Sequence, residues 1–221
     1  MTYDPYKPPA IEAHASHAAT ATGFRPSIAG LVASVLLGFS VALGVVETIL
    51  YFSGLDPDVT AGVTKVVSGA GTVARLVGAF AFLFWIHRVV SNAHAFGGGR
   101  MRSSPGRAVG YWFIPFINLV HGYQIVSETW QASDPESAAE GSGALSLHTP
   151  AGFILHWWLA YVASRIAVAA TRLSWSPAAY ILSAAFEVVA VVLMIMVIRR
   201  LDERQHACAV TAYRPAVDPA Q

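Results

Sequence analysis

The run AVGYWFIPFINLV, Ala108 to Val120, is apolar over thirteen residues but is interrupted by Pro115 and Asn118. As helix, at about 1.5 Å per residue, it reaches roughly 20 Å, short of the about 30 Å of a bilayer's hydrocarbon core. Ser104 followed by Pro105 predicts a helix start, with the serine capping free amides and the proline in a first turn where no donor is needed. Pro115 removes an amide and frees the carbonyl of Tyr111, so the helix should kink or stop there, and Asn118 stands where the break needs a polar partner. Beyond it, Leu119, Tyr123, Val126 and Trp130 share one face while His121, Gln124, Glu128 and Gln131 share the other, the pattern of a helix lying along an interface. A broken apolar helix followed by an amphipathic one predicts a re-entrant or interfacial element over residues 104–132.

Working outward, four longer apolar blocks fall at about 27–52, 66–90, 150–172 and 177–198. Whether the short run also crosses is decided by the flanking cations, since cytoplasmic flanks keep an excess of Lys and Arg. A fifth crossing divides the basic residues outside the spans seven to five; without it, ten lie on one side and only Lys65 and Arg172 on the other. The fold expected is therefore all-α: a polytopic transmembrane helix bundle of four spans plus a re-entrant or interfacial broken helix, with five spans as the alternative. Residues 27–200 form the transmembrane domain, and 1–26 and 201–221 read as flexible tails. For a multi-pass protein of a bacterial inner membrane, the localisation expected here, the same count places both termini in the cytoplasm.

Composition agrees. Of 221 residues 55% are hydrophobic and 12% charged, with mean hydropathy +0.51, outside the globular range. Fourteen basic against thirteen acidic residues leave a net charge of +1, which excludes a nucleic-acid footprint. The single cysteine, Cys208, permits no internal disulfide. There is no His-Glu-x-x-His, no cysteine pair and no Gly-x-Ser-x-Gly, so no metal site is expected, no catalytic residue is assigned and the reading leans away from an enzyme.

Lipid gives helices no hydrophobic reason to associate, so the bundle needs close backbone packing or polar pairing. Gly30, Ser34, Gly38 and Ala42 form a small-residue stripe that Ala70, Ala74 and Gly78 can meet. Four charges lie inside the spans, and depth matching pairs Glu47 with Arg75 and Arg165 with Glu187, one ion pair in each helical hairpin. Arg88, Arg100, Arg102 and Arg107 surround Gly97-Gly98-Gly99, a setting in which guanidinium forks and backbone amides hold a phosphate or lipid headgroup; Trp112 and Asn118 complete the candidate surface.

These residues also carry a family resemblance. Trp85-x-His87-Arg88 with Asn92-Ala93, then Ser104-Pro105-Gly106-x-Ala108-Val109-Gly110-x-Trp112-Phe113-x-Pro115-x-x-Asn118-Leu119, and Trp130 near the end, resemble the bacterial membrane family called domain of unknown function 4328. The match is close over residues 85–133, and the flanking spans agree in layout; the chain departs from the family at His121-Gly122. The resemblance implies a fold and no chemistry.

Three functions follow as expectations. The first is a lipid- or partner-binding membrane module, its site at Arg88, Arg100, Arg102, Arg107, Trp112 and Asn118 and its partners the bilayer, a phospholipid headgroup or another membrane protein. The second is a haem or quinone electron carrier using His87 and His156, although no cofactor is predicted in the first reading. The third is a small transporter or channel whose path is lined by Glu47 and Arg75.

Overall fold

The computed structural model describes residues 28–96, 101–135, 151–174 and 176–213, and among these helix is the only regular secondary structure. The elements are α1 (Ile28–Phe52), α2 (Pro57–Ala95), α3 (Pro105–Gly110), a 3-10 turn (Tyr111–Phe113), α4 (Pro115–Ala132), α5 (Gly152–Ser174) and α6 (Pro177–Tyr213). Helices α1, α2, α5 and α6 are each long and apolar enough to cross a membrane, which makes this a multi-pass membrane protein. The expected tail 1–26, the triple glycine with Arg100, and most of the linker between α4 and α5 lie outside the described residues.

Local chemistry sets the boundaries. Asp56 accepts the Asp58 amide at 2.9 Å on its Oδ1, Pro57 occupies the first turn, and Gly54 takes the left-handed φ of 67° that reverses the chain out of α1. At 39 and 37 residues, α2 and α6 are longer than the apolar blocks inside them. At about 1.5 Å per residue they reach about 55 Å or more, against the about 30 Å needed to span the hydrocarbon core. The expected flexible tail from residue 201 is corrected here: α6 runs without a break to Tyr213, since no glycine or proline intervenes between Pro177 and Pro215.

The helices pack as two hairpins, α1 with α2 and α5 with α6, joined mainly through α1 against α6. The small residues are used differently from the expected face-to-face stripe. On α1, Gly30 and Gly38 face α6: a Cβ on Gly30 would lie 2.9 Å from Ile198 Cγ2, Asp202 Oδ2 and Trp85 Cδ1, and Gly38 looks at Ile195. On α2, Gly71 and Gly78 receive Leu43, Leu36 and Leu37 of α1. Close approach is therefore divided between two interfaces rather than concentrated in one.

The core lies toward one end of the bundle, where Trp85, Ile86, Val89 and Val90 of α2, Ile125 and Val126 of α4, Ile154 and Trp157 of α5, and Val197, Ile198 and Leu201 of α6 are buried together. Elsewhere the long helices expose Val, Leu, Ile and Phe outward, as lipid-facing surfaces do.

Candidate functional site

Helices α3 and α4 form a helical hairpin against that core. Its two ends meet: Arg102 donates its amide to Glu128 at 3.3 Å, with its guanidinium 4.0 Å from the same carboxylate. Its tip is the 3-10 turn and Ile114-Pro115. The Tyr111 carbonyl freed by Pro115 accepts the Ile114 amide at 3.3 Å, and Ile114 is extended, so α4 starts afresh at Pro115. Ser104 forms no side-chain cap; its hydroxyl instead accepts from Arg107 Nε at 3.4 Å. Asn118 also departs from expectation, turning from the break toward α5, where its Nδ2 lies 3.4 Å from the Tyr161 hydroxyl.

The buried residues of α4 are Gly122, Ile125, Val126, Ser127 and Thr129, a face rotated from the expected Leu119–Tyr123–Val126–Trp130 face. Gly122 accounts for the rotation. Trp158 of α5 occupies the space in front of it, and a Cβ there would stand 2.6 Å from Trp158 Cη2. Trp158 is fixed in turn by edge contacts to Trp112 and Trp157 and by Tyr161 at 5.2 Å between ring centroids. Outward, the tip presents Phe113 (67% exposed), Phe116 (84%), Ile114, Leu119 and Val120.

Beneath the tip, between the hairpin and the long helices, lies a cavity of about 350 Å³. Leu83, Val191 and Met194 contribute apolar wall, Trp112, Phe113 and Asn118 the hairpin side, and Trp157 and Tyr161 the side of α5. Trp112 Nε1, Trp157 Nε1 and Asn118 Oδ1 are buried without a hydrogen-bond partner, so this region carries unspent polar capacity. Farther along are Arg75, Arg165 and Glu187. A second cavity of about 270 Å³, lined by Glu47, Tyr51 and Tyr180, shares Arg75 and Glu187 with the first.

The closer of the two intramembrane ion pairs runs across hairpins and the looser one lies within the second. Arg75 Nη2 lies 2.9 Å from Glu187 Oε1, and Arg165 Nη2 approaches the same oxygen at 3.8 Å. Glu47 takes the Ser68 hydroxyl at 2.6 Å instead of Arg75. The Arg165–Glu187 pairing thus holds in a weaker form, and the Glu47–Arg75 pairing is replaced. Glu47 is level with Ser68, which precedes Arg75 by two turns, roughly 10 Å, on the same face of α2, so the depth match fails for Glu47 with Arg75 and holds for Arg165 with Glu187.

The expected headgroup residues are scattered. Arg102 and Arg107 are occupied within the hairpin base, with Arg107 Nη2 donating to the Arg102 carbonyl at 3.1 Å. Arg88 is half-buried on α2, and Arg100 lies outside the described residues. Trp112 and Asn118 do come together, at the cavity rather than beside the arginines. His87 and His156 are both exposed, on helices whose inward faces are held by Trp85 and Ile86 and by Trp157 and Trp158. An axial haem pair needs two histidines facing each other from different helices, and these two are turned outward.

A polar seam at the core end was not foreseen. Gln205, fully buried, donates to the Val89 carbonyl at 2.8 Å and to Ser133 Oγ at 3.1 Å, and accepts from Asn92 Nδ2 at 3.1 Å. Trp85 Nε1 donates to Asp202 at 2.9 Å, and Arg204 joins Asp134 at 3.0 Å, donates to the Trp130 carbonyl and covers the Trp130 ring. These contacts fasten the extension of α6 to α2 and to the hairpin's end. The available signal was the unbroken helical run past Arg200, with Asp202 and Gln205 three residues apart on one face.

Comparisons with curated proteins and with solved structures find no match. A family model does match, over residues 57–203, which spans α2 through the seam residue Asp202 and takes in the hairpin and all of the cavity lining except that from α1. The chain therefore belongs to the family described as domain of unknown function (DUF4328).

Proposed function

We propose that the protein is a lipid-binding membrane module in which the α3–α4 hairpin re-enters the bilayer from the cytoplasmic side and covers a cavity that holds a membrane lipid. The observation that carries this reading is the cavity itself: about 350 Å³, apolar on the long-helix side, with the buried and unpartnered polar atoms of Trp112, Trp157 and Asn118 among its lining residues. Its volume lies within the roughly 300–1,000 Å³ typical of small-molecule sites. The exposed Phe113, Phe116 and Leu119 support the re-entrant part, since a tip so apolar is stable in hydrocarbon and costly in water. Because the two ends of the hairpin meet at Arg102 and Glu128, the chain in this reading leaves the bilayer on the side from which it came.

The test is quenching of tryptophan fluorescence by lipids brominated on the acyl chain, in nanodiscs, with Trp112→Phe and Trp157→Phe as site-specific differences. Quenching at these two positions that saturates at about one lipid per chain supports a bound lipid. Quenching that only tracks the bulk fraction of brominated lipid rules it out. A second reading, a small transporter, is favoured by the meeting of the two cavities at Arg75 and Glu187. Solute or ion flux in proteoliposomes that is abolished by Glu47→Gln would support it; no flux above empty vesicles would exclude it for the solutes assayed.

A further inference from the structure

The cavity's charge is unbalanced in a way that specifies the ligand. Two guanidiniums converge on one carboxylate oxygen, and the contact is unequal: 2.9 Å from Arg75 but 3.8 Å from Arg165. The arginine side chains are 49% and 45% exposed, whereas Glu187 is 21% exposed, so the cationic groups, not the anion, dominate the open surface. Arg165 is the less engaged of the two. Its Nε lies 3.3 Å from Ser164 Oγ and its guanidinium stands over the Tyr161 ring, which leaves further N–H donors with no acceptor among the described residues. Glu47 does not restore the balance, because it lines the other cavity and takes Ser68.

Resting on the lipid-binding reading, we infer that the cavity selects an anionic amphiphile, whose carboxylate or phosphate head is gripped by Arg165 and Arg75 while its tail follows Leu83, Val191 and Met194. The planar fork of arginine matches both kinds of oxyanion, and such a contact removes the cost of a guanidinium left without a full counter-charge at membrane depth. A cationic head has no free carboxylate to meet, since Glu187 is already shared. A neutral head leaves Arg165 as it stands. Glu187 is then a competitor of the ligand for both arginines, so its removal strengthens binding.

The experiment uses the full chain in phosphatidylcholine nanodiscs, titrated with four chain-brominated probes: a fatty acid, a phosphatidylglycerol, a phosphatidylcholine and a monoacylglycerol. Fluorescence of Trp112 and Trp157 is the readout. The inference predicts half-saturation at a concentration at least about tenfold lower for an anionic probe than for the neutral and zwitterionic ones, the worth of one charge-assisted hydrogen-bonded contact. Which anionic probe is preferred, the free acid or the phospholipid, identifies the source of the head. Arg165→Gln should abolish the preference while leaving tail-dependent quenching, Arg165→Lys should keep part of it, and Glu187→Gln should enlarge it. Saturable quenching with equal half-saturation for all probes would overturn the inference and leave the lipid-binding reading intact. No saturable quenching by any probe would overturn both. Weaker binding of anions in a folded Glu187→Gln protein would also overturn the inference, since it would make Glu187 part of the support and not a competitor.

Discussion

Replacing Gly122 by alanine tests how the hairpin is seated, and the sign of the effect follows from two opposed terms. In mid-helix, glycine to alanine gains about 1 kcal/mol of helix propensity. Against this, the new methyl would stand 2.6 and 2.8 Å from Trp158 Cη2 and Cζ3 and 3.1 Å from Asn118 Oδ1. An indole is a rigid plate, and Trp112, Trp157 and Tyr161 close around this one, so it cannot yield the needed several tenths of an ångström without moving the cluster. Overpacking of a filled core costs about 1–3 kcal/mol, and a clash this short against aromatic carbon belongs in the upper half of that range. The net expectation is a loss of about 1–2 kcal/mol, read from the midpoint of denaturant unfolding in mild detergent. Gly110 serves as the internal control, because a methyl there meets nothing within 4 Å; Gly110→Ala should be neutral or stabilising. Trp158→Phe removes the two ring atoms that clash, so the double variant Gly122→Ala, Trp158→Phe should be more stable than the sum of its singles by about 1 kcal/mol or more. Equal effects at Gly122 and Gly110, or additivity of the double variant, would refute the seating of α4 against Trp158.

Two further substitutions probe the core end. Gly30→Ala should cost about 1–3 kcal/mol, because its methyl would meet Trp85, Ile198 and Asp202 together at 2.9 Å, and the Trp85 emission should shift as its 2.9 Å bond to Asp202 is strained. Unchanged stability and emission would contradict that three-helix contact. Gln205→Ala removes the acceptor of Asn92 and a partner of Ser133 at a fully buried position, an expected loss of about 2–4 kcal/mol; in the cycle with Asn92→Ala the two losses should be strongly non-additive. A surface-like effect below about 0.5 kcal/mol would place Gln205 in water.

Much of this molecule is legible without coordinates because a bilayer enforces length: an apolar block long enough to cross is recognisable from the sequence of α1, α5 or α6 alone. The break at Pro115 is legible for the same kind of reason, since a missing amide is a property of the residue itself. What escapes is the register of one helix on another and direction around its axis. Glu47 is level with Ser68, two turns before Arg75, and Arg75 reaches Glu187 on another hairpin; and the glycines of α1 turn toward α6 where a stripe suggested α2. The same uncertainty rotated the buried face of α4, because Gly122, with no side chain to score as apolar, is the position that admits Trp158. The seam of Asp202, Arg204 and Gln205 was misread as a tail because polar composition resembles solvated chain, whereas each of these groups meets a partner on α2 or on the hairpin's end.

Sided thiol labelling shows whether the hairpin leaves the bilayer where it came in. In a Cys208→Ser background, single cysteines at Ala95 before the hairpin, at Ser142 after it and at Ser53 between α1 and α2 are exposed to a membrane-impermeant maleimide, on intact spheroplasts and on inverted vesicles. Ala95→Cys and Ser142→Cys should react only in inverted vesicles and Ser53→Cys only in spheroplasts. Labelling of Ala95→Cys and Ser142→Cys from opposite sides would mean that the segment between them crosses, and would contradict re-entry of the hairpin.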